Sequence, residues 1–78
     1  MSRQEFGLCL KNIRQKRHIT QIEVSKKLGI SRQAYSSYEQ GVRLPDVNTL
    51  AALSVILDAN LFLFFMDSAL KKHKPDIK

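Results

Sequence analysis

The chain has little of what marks secreted, metal-binding or membrane proteins. Its single cysteine, Cys9, cannot form an internal disulfide and has no second cysteine nearby for a zinc site. His18 and His73 are far apart and have no neighbour at metal-ligand spacing, so no cofactor is predicted. The longest apolar run, residues 61–66, is far shorter than a membrane span, and the N-terminus carries Glu5 and lacks the apolar stretch of a signal peptide. These absences predict a cytoplasmic protein without a membrane partner.

The sequence also lacks the usual signatures of an enzyme. It shows no nucleophile paired with a base and no glycine-rich phosphate loop, so no catalytic activity is expected. There is no repeat and no Gly/Ser linker, and a composition of 44% hydrophobic and 26% charged residues is typical of a globular domain. We expect one domain over residues 1–70, followed by a basic tail over residues 71–78.

Positive charge is what the sequence has in excess, and it is unevenly distributed. The net charge is +6. Nine of the thirteen Lys and Arg residues lie in residues 1–43, and none lies in residues 44–70. A basic surface of this kind favours a polyanion such as nucleic acid, although it could equally be a solvated face that keeps a small protein soluble.

Helix-capping residues divide the first part of the chain into short helices. Polar residues suited to N-caps recur before apolar segments, and glycines follow two of those segments. The caps are Ser2, Thr20, Ser31 and Asp46, and the glycines are Gly29 and Gly41. Glu23, three residues after Thr20, completes a capping box. Four helices are predicted. The fourth runs through Leu50, Leu53 and Leu57, and we expect Val47, Val55 and Ile56 to fill out its apolar side.

Residues 61–66 are apolar on every side. A fifth helix is favoured, but the phenylalanines also permit a strand. In either form these side chains cannot all face one small core, so we predict a homodimer interface. Its residues are Leu61, Phe62, Phe64, Phe65 and Met66. The alternative is that the segment simply fills the core.

Residues 20–46 resemble the helix-turn-helix of the phage repressor/Cro type, the XRE-like regulators. The resemblance rests on a shared spacing of small, polar and turn-forming residues. These are Arg14, Gln21, Ser25, Gly29, Ile30, Ser31, Tyr35, Tyr38, Glu39, Gly41, Pro45 and Leu50. Two residues depart from the family pattern: Ser25 replaces the usual alanine, and Asp58 replaces the glycine that usually closes the fourth helix. The resemblance implies an all-α, compact five-helix bundle with a helix-turn-helix core at 20–40.

The resemblance also implies roles for individual residues. The third helix would enter the major groove of DNA, and the residues on its outer face would contact bases: Arg32, Gln33, Ser36 and Ser37. Phosphates would be contacted by Gln21, Gln40 and Arg43. Arg14 and Glu39 would form a buried ion pair. Arg32 could instead contact a phosphate. The rings of Tyr35 and Tyr38 are expected in the core, although stacking on bases is an alternative.

The predicted function is that of a sequence-specific DNA-binding transcriptional regulator, a dimeric repressor on a palindromic operator. The alternative is an antitoxin that binds a toxin protein and also regulates its own operon. A controller protein of a restriction-modification system is a third possibility.

Overall fold

The computed structural model describes residues 2–64 and residue 66. Four α-helices follow in order: α1 (Arg3–Lys16), α2 (Gln21–Leu28), α3 (Arg32–Glu39) and α4 (Val47–Ile56). Residues 61–64 and 66 are helical as well, and the described part of the chain contains no strand. The all-α bundle is therefore confirmed, with a helix where a strand was the alternative. The predictions for the Phe65 side chain and the tail at 71–78 lie outside the described residues.

Each of the four helices begins at the predicted cap. Ser2 and Thr20 both form capping boxes, in which the third residue of the helix returns a carboxylate to the cap. Ser31 Oγ accepts a hydrogen bond from the Ala34 N–H (3.0 Å), and Asp46 Oδ1 accepts one from the Thr49 N–H (2.8 Å). Such caps each contribute about 1 kcal/mol and depend only on neighbouring residues, which is why the sequence predicts them.

Within two residues of the end of each helix, one residue adopts a left-handed backbone conformation. These residues are His18 (φ 58°), Gly29 (φ 72°), Gly41 (φ 76°) and Asp58 (φ 51°). At the end of α4 the Ala59 N–H reaches back to the Ser54 carbonyl (3.0 Å), the bond of a Schellman motif. Asp58 thus performs the turn for which the family uses glycine. Because it carries a Cβ, it adopts this conformation at a cost that glycine avoids.

The helices share one core around α3. This helix packs against α1 and α2, and α2 also packs against α4. The core consists of Phe6, Leu10, Val24, Tyr35, Tyr38, Leu50, Leu53, Leu57 and Leu61. Gly7 allows α1 to lie directly against the end of α3, because a Cβ at this position would lie within 3 Å of the carbonyl oxygens of Tyr38 and Glu39.

The apolar side of α4 is only partly the one we predicted. Leu50 and Leu53 are fully buried as expected, whereas Val47 is 66% exposed and Val55 is 81% exposed. The polar residues of α4 are spread around the helix, so they form no stripe that shows which side packs. Leu61 was predicted to lie at the homodimer interface. It is 1% exposed and belongs to the core, so its side chain is not available to a second chain.

Candidate nucleic-acid interface

The third helix has one buried face and one exposed face. Tyr35 is fully buried and Tyr38 is 7% exposed, and their rings meet edge-on with centroids 6.2 Å apart. Neither ring is free to stack on a base, so the core placement is correct. On the opposite face Arg32 and Gln33 are exposed, and Ser36 and Ser37 are half-buried. Aromatic packing therefore holds α3 while its polar face points outward.

The polar groups on this face differ in their freedom to bind a ligand. Ser37 Oγ donates to the Ala34 carbonyl (2.6 Å), and Gln40 Nε2 donates to Ser36 Oγ (3.2 Å). Within the described residues, the side chains of Arg32 and Gln33 have no hydrogen-bond partner. Their guanidinium and amide groups are thus available for bidentate contacts, the geometry that reads a guanine or adenine edge.

The turn after α3 carries two further polar side chains. Gly41 takes a positive φ, which lets the chain reverse, and the N–H of Arg43 then bonds back to the Ser37 carbonyl (3.3 Å). Gln40 and Arg43 are both exposed. They lie beyond the C-terminal end of α3, where a cation and an amide can contact phosphate oxygens.

Gln21 is the first residue of α2 and lines a surface cleft with Arg32. The cleft, of about 360 Å³, lies between the end of α1 and the starts of α2 and α3. The Gln21 amide is held in place, because Nε2 donates to Glu39 Oε1 (2.8 Å). This leaves one N–H of the amide and the first backbone N–H groups of α2 for an anion.

Glu39 is the centre of a buried polar cluster joining three helices. Arg14 Nε donates to Glu39 Oε2 (2.6 Å) and Arg14 Nη2 donates to Oε1 (3.2 Å), which makes a bidentate ion pair between α1 and α3. The Tyr35 hydroxyl donates to Oε2 (2.5 Å) and Gln21 supplies the fourth bond. Arg14 is therefore occupied in the interior, and Gln21 is tied to the same carboxylate.

Protonation in this cluster follows from its geometry. Burial alone would raise the pKa of the Glu39 carboxyl, but the hydrogen bonds from Arg14, Tyr35 and Gln21 outweigh it and hold that pKa below its ordinary value. Burial, and then the hydrogen bond to Glu39, raises the pKa of the Tyr35 hydroxyl far above its ordinary value. The cluster is thus an ionised carboxylate held between a cation and neutral donors at neutral pH.

Arg17 has a role that the charge pattern did not reveal. Its Nε donates to the Leu57 carbonyl (2.9 Å) and its Nη2 to the Asp58 carbonyl (2.8 Å). One guanidinium edge from the end of α1 therefore satisfies the carbonyls of the two residues that follow α4. These two hydrogen bonds join positions forty and forty-one residues apart in sequence, so nothing in the local pattern could have indicated them.

The residues expected at a dimer interface are distributed between core and surface. Phe62 and Phe64 are half-buried and pack against the core, beside the buried Leu61. Leu63 is 65% exposed and Met66 is 57% exposed. Among the described residues of this segment, the exposed apolar side chains are therefore Met66 and Leu63, which was not among the predicted interface residues.

Two other kinds of site have no support in the described part of the chain. Within residues 2–64 and 66, no group of three His, Cys, Asp or Glu side chains is placed to hold a metal ion. No helix over those residues is long and apolar enough to cross a bilayer.

Comparison with known proteins gives the family directly. The helix-turn-helix family model matches residues 10–64, which is more than half of the chain. The matched region runs from the middle of α1 to the helical segment after α4 and includes the whole of α2 and α3. The chain belongs to the helix-turn-helix family, and its relatives place it among the XRE-type members.

Three relatives come from Bacillus subtilis and a Bacillus phage. The chain is 48% identical over 56 residues to the uncharacterized HTH-type transcriptional regulator YqaE of Bacillus subtilis (strain 168), covering 72% of this chain and 48% of YqaE. It is 38% identical over 73 residues to the HTH-type transcriptional regulator ImmR of the same strain, covering 92% of this chain and 58% of ImmR. It is 33% identical over 57 residues to the ImmF control region 10 kDa protein of Bacillus phage phi105, covering 73% and 63%. The chain thus spans about half of YqaE and somewhat more of the other two.

Proposed function

We propose that the chain is a sequence-specific DNA-binding regulator in which α3 reads the major groove. The observation that carries this proposal is the exposed pair Arg32 and Gln33 at the start of α3, whose side chains have no partner within the described residues. A buried aromatic face holds the helix behind them. Arginine recognises guanine O6 and N7 and glutamine recognises adenine N6 and N7, so this pair suits two neighbouring bases. Ser36 and Ser37 lie beside them and offer hydroxyls at close approach.

Phosphate contacts would set the orientation of the helix in the groove. Gln21, at the N-terminus of α2, and Gln40 with Arg43, beyond the end of α3, would make these contacts. Contacts of this kind fix the register of the protein on the duplex and supply most of the salt-sensitive affinity.

Specific occupancy of an operator calls for two copies of the chain. A single recognition helix reads too few base pairs, and a two-fold dimer would place two helices in successive major grooves about 34 Å apart on a palindrome. The exposed Leu63 and Met66, with Val55 of α4, provide apolar surface for such a contact. Occupancy of a promoter is sufficient for repression, and the relatives YqaE and ImmR are named as transcriptional regulators.

The same apolar surface supports the second candidate, an antitoxin. In that case a different protein would cover Leu63 and Met66, and DNA binding would serve autoregulation. Co-purification of a second protein with the chain distinguishes the two, because only the antitoxin holds a toxin. A mass of one 8.9 kDa chain in sedimentation at micromolar concentration would count against the homodimer.

Selection of duplexes from a random library, at about 150 mM salt to suppress non-specific phosphate binding, tests the proposed function itself. We expect a palindrome whose half-sites contain the guanine and adenine that Arg32 and Gln33 suit. Enrichment of no motif would overturn sequence-specific reading by this chain.

A further inference from the structure

The junction between α4 and the helical segment that follows is held by an unusual set of contacts. Asp58 takes a left-handed conformation without being glycine. The Leu61 N–H then bonds to Ser54 Oγ (3.3 Å), which ties the first turn of the next segment to α4. Leu57 and Leu61, one on each side of the turn, are both buried in the core. The direction of residues 61–64 is therefore set within four residues.

Arg17, the residue that follows α1, reaches this turn with its side chain. Its guanidinium donates to the Leu57 and Asp58 carbonyls through Nε and Nη2, at 2.9 and 2.8 Å. These carbonyls lie at the negative end of the α4 dipole, where a cation is favourable. Two adjacent donors on one planar edge fix both the distance and the angle of the turn, which a lysine could not do.

We infer that Arg17 is a positioning residue for self-association: by fixing the α4 turn it aims the exposed side chains of Leu63 and Met66 at a second copy of this chain. This inference rests on the proposed dimer. One edge of the exposed Arg17 guanidinium is thereby committed to the turn, and its remaining N–H groups stay at the surface. The exposed apolar side chains of Val55 and Leu63 lie on opposite sides of the turn, so a change in its angle moves one relative to the other.

The chain offers a matched control for the charge. Lys16 is an exposed cation one residue before Arg17 in sequence, and the described residues give its side chain no hydrogen-bond partner. Lys16→Ala therefore removes the same charge without disturbing the turn. Arg17→Lys keeps the charge and loses the bidentate edge, which separates geometry from electrostatics.

The experiment measures the dimer dissociation constant by sedimentation for wild type, Arg17→Ala, Arg17→Lys and Lys16→Ala, each well below its melting temperature. A duplex carrying one half-site, selected with the wild type, reports monomeric DNA binding by the same proteins. We expect Arg17→Ala to weaken the dimer by ~10-fold and Arg17→Lys by several-fold, with half-site affinity within about two-fold of wild type. Lys16→Ala should leave the dimer unchanged.

Three results would overturn the inference. A lower melting temperature for Arg17→Ala with an unchanged dimer constant would make the residue merely structural. Loss of half-site affinity with a salt slope reduced by about one, and an unchanged dimer, would make it a phosphate contact. A monomeric wild type would remove the dimer on which the inference rests. Failure of the proposed function would be seen separately, as a wild type that enriches no motif.

Discussion

Replacing Glu39 with alanine tests the polar cluster that holds the three helices together. The Glu39 side chain is 3% exposed and accepts four hydrogen bonds, two of them from Arg14, whose side chain is 10% exposed. Its loss leaves a buried guanidinium and the Tyr35 hydroxyl without their acceptor, which costs about 3–5 kcal/mol. A domain of this size shifts its Tm by roughly 4–8 °C per kcal/mol, so Glu39→Ala should melt at least about 12 °C lower.

A double-mutant cycle supplies the control. Thermal unfolding of Arg14→Ala, Glu39→Ala and the double variant gives the coupling between the two residues, and we expect the double variant to lose much less than the sum of the single ones. The contribution of Glu39 to the free energy of unfolding depends on pH in a definite direction. Because the folded-state pKa of Glu39 is lowered, its contribution is present above the unfolded value of about 4.3 and is lost as the pH falls through the folded one. An unchanged Tm for Glu39→Ala, or additive single effects, would refute the cluster as a source of stability.

Three further perturbations follow from the packing and backbone. Gly7→Ala places a methyl group against backbone carbonyls of α3 and should cost ~3 kcal/mol or more in urea unfolding; wild-type stability would show that α1 and α3 are not in this contact. Asp58→Gly relieves the left-handed strain and should raise the free energy of unfolding by about 0.5–1 kcal/mol, and a loss instead would mean that the aspartate side chain stabilises the turn. Because burial raises the pKa of the Tyr35 hydroxyl, its neutral form stabilises the fold at pH values below the unfolded pKa of about 10, and that contribution is lost as the pH rises towards the folded value. Tyrosinate absorbance should show the Tyr35 hydroxyl resisting ionisation above that pH, whereas its ionisation near that pH in folded protein would contradict the burial of this hydroxyl.

The sequence predicts best those features that depend on neighbouring residues. Each cap at the start of a helix accepts a hydrogen bond from a residue three positions later, so Ser2 and Asp46 could be assigned without knowledge of the fold. The inward face of α3 followed from the spacing of Tyr35 and Tyr38. These assignments rest on helix periodicity and cap chemistry alone.

What the sequence could not predict depends on contacts between distant elements. Val55 was expected on the apolar side of α4 and is exposed, because an apolar helix without a polar stripe has several equivalent sides to bury. Leu61 was expected at an interface and fills the core. In the sequence Arg17 was only one of many basic residues. Its hydrogen bonds could not be predicted, because the carbonyls that accept them, just after α4, come close to it only in the folded chain.

We propose that α3 reads bases through Arg32, whereas Arg43 only anchors the duplex. The most direct test repeats the library selection with Arg32→Ala and compares its motif with that of wild type, with Arg43→Ala as the control. We predict that Arg32→Ala loses the preference at one position in each half-site, at a cost of ~1–3 kcal/mol, whereas Arg43→Ala keeps the full motif with weaker binding to all sequences. An unchanged motif for Arg32→Ala would contradict the account.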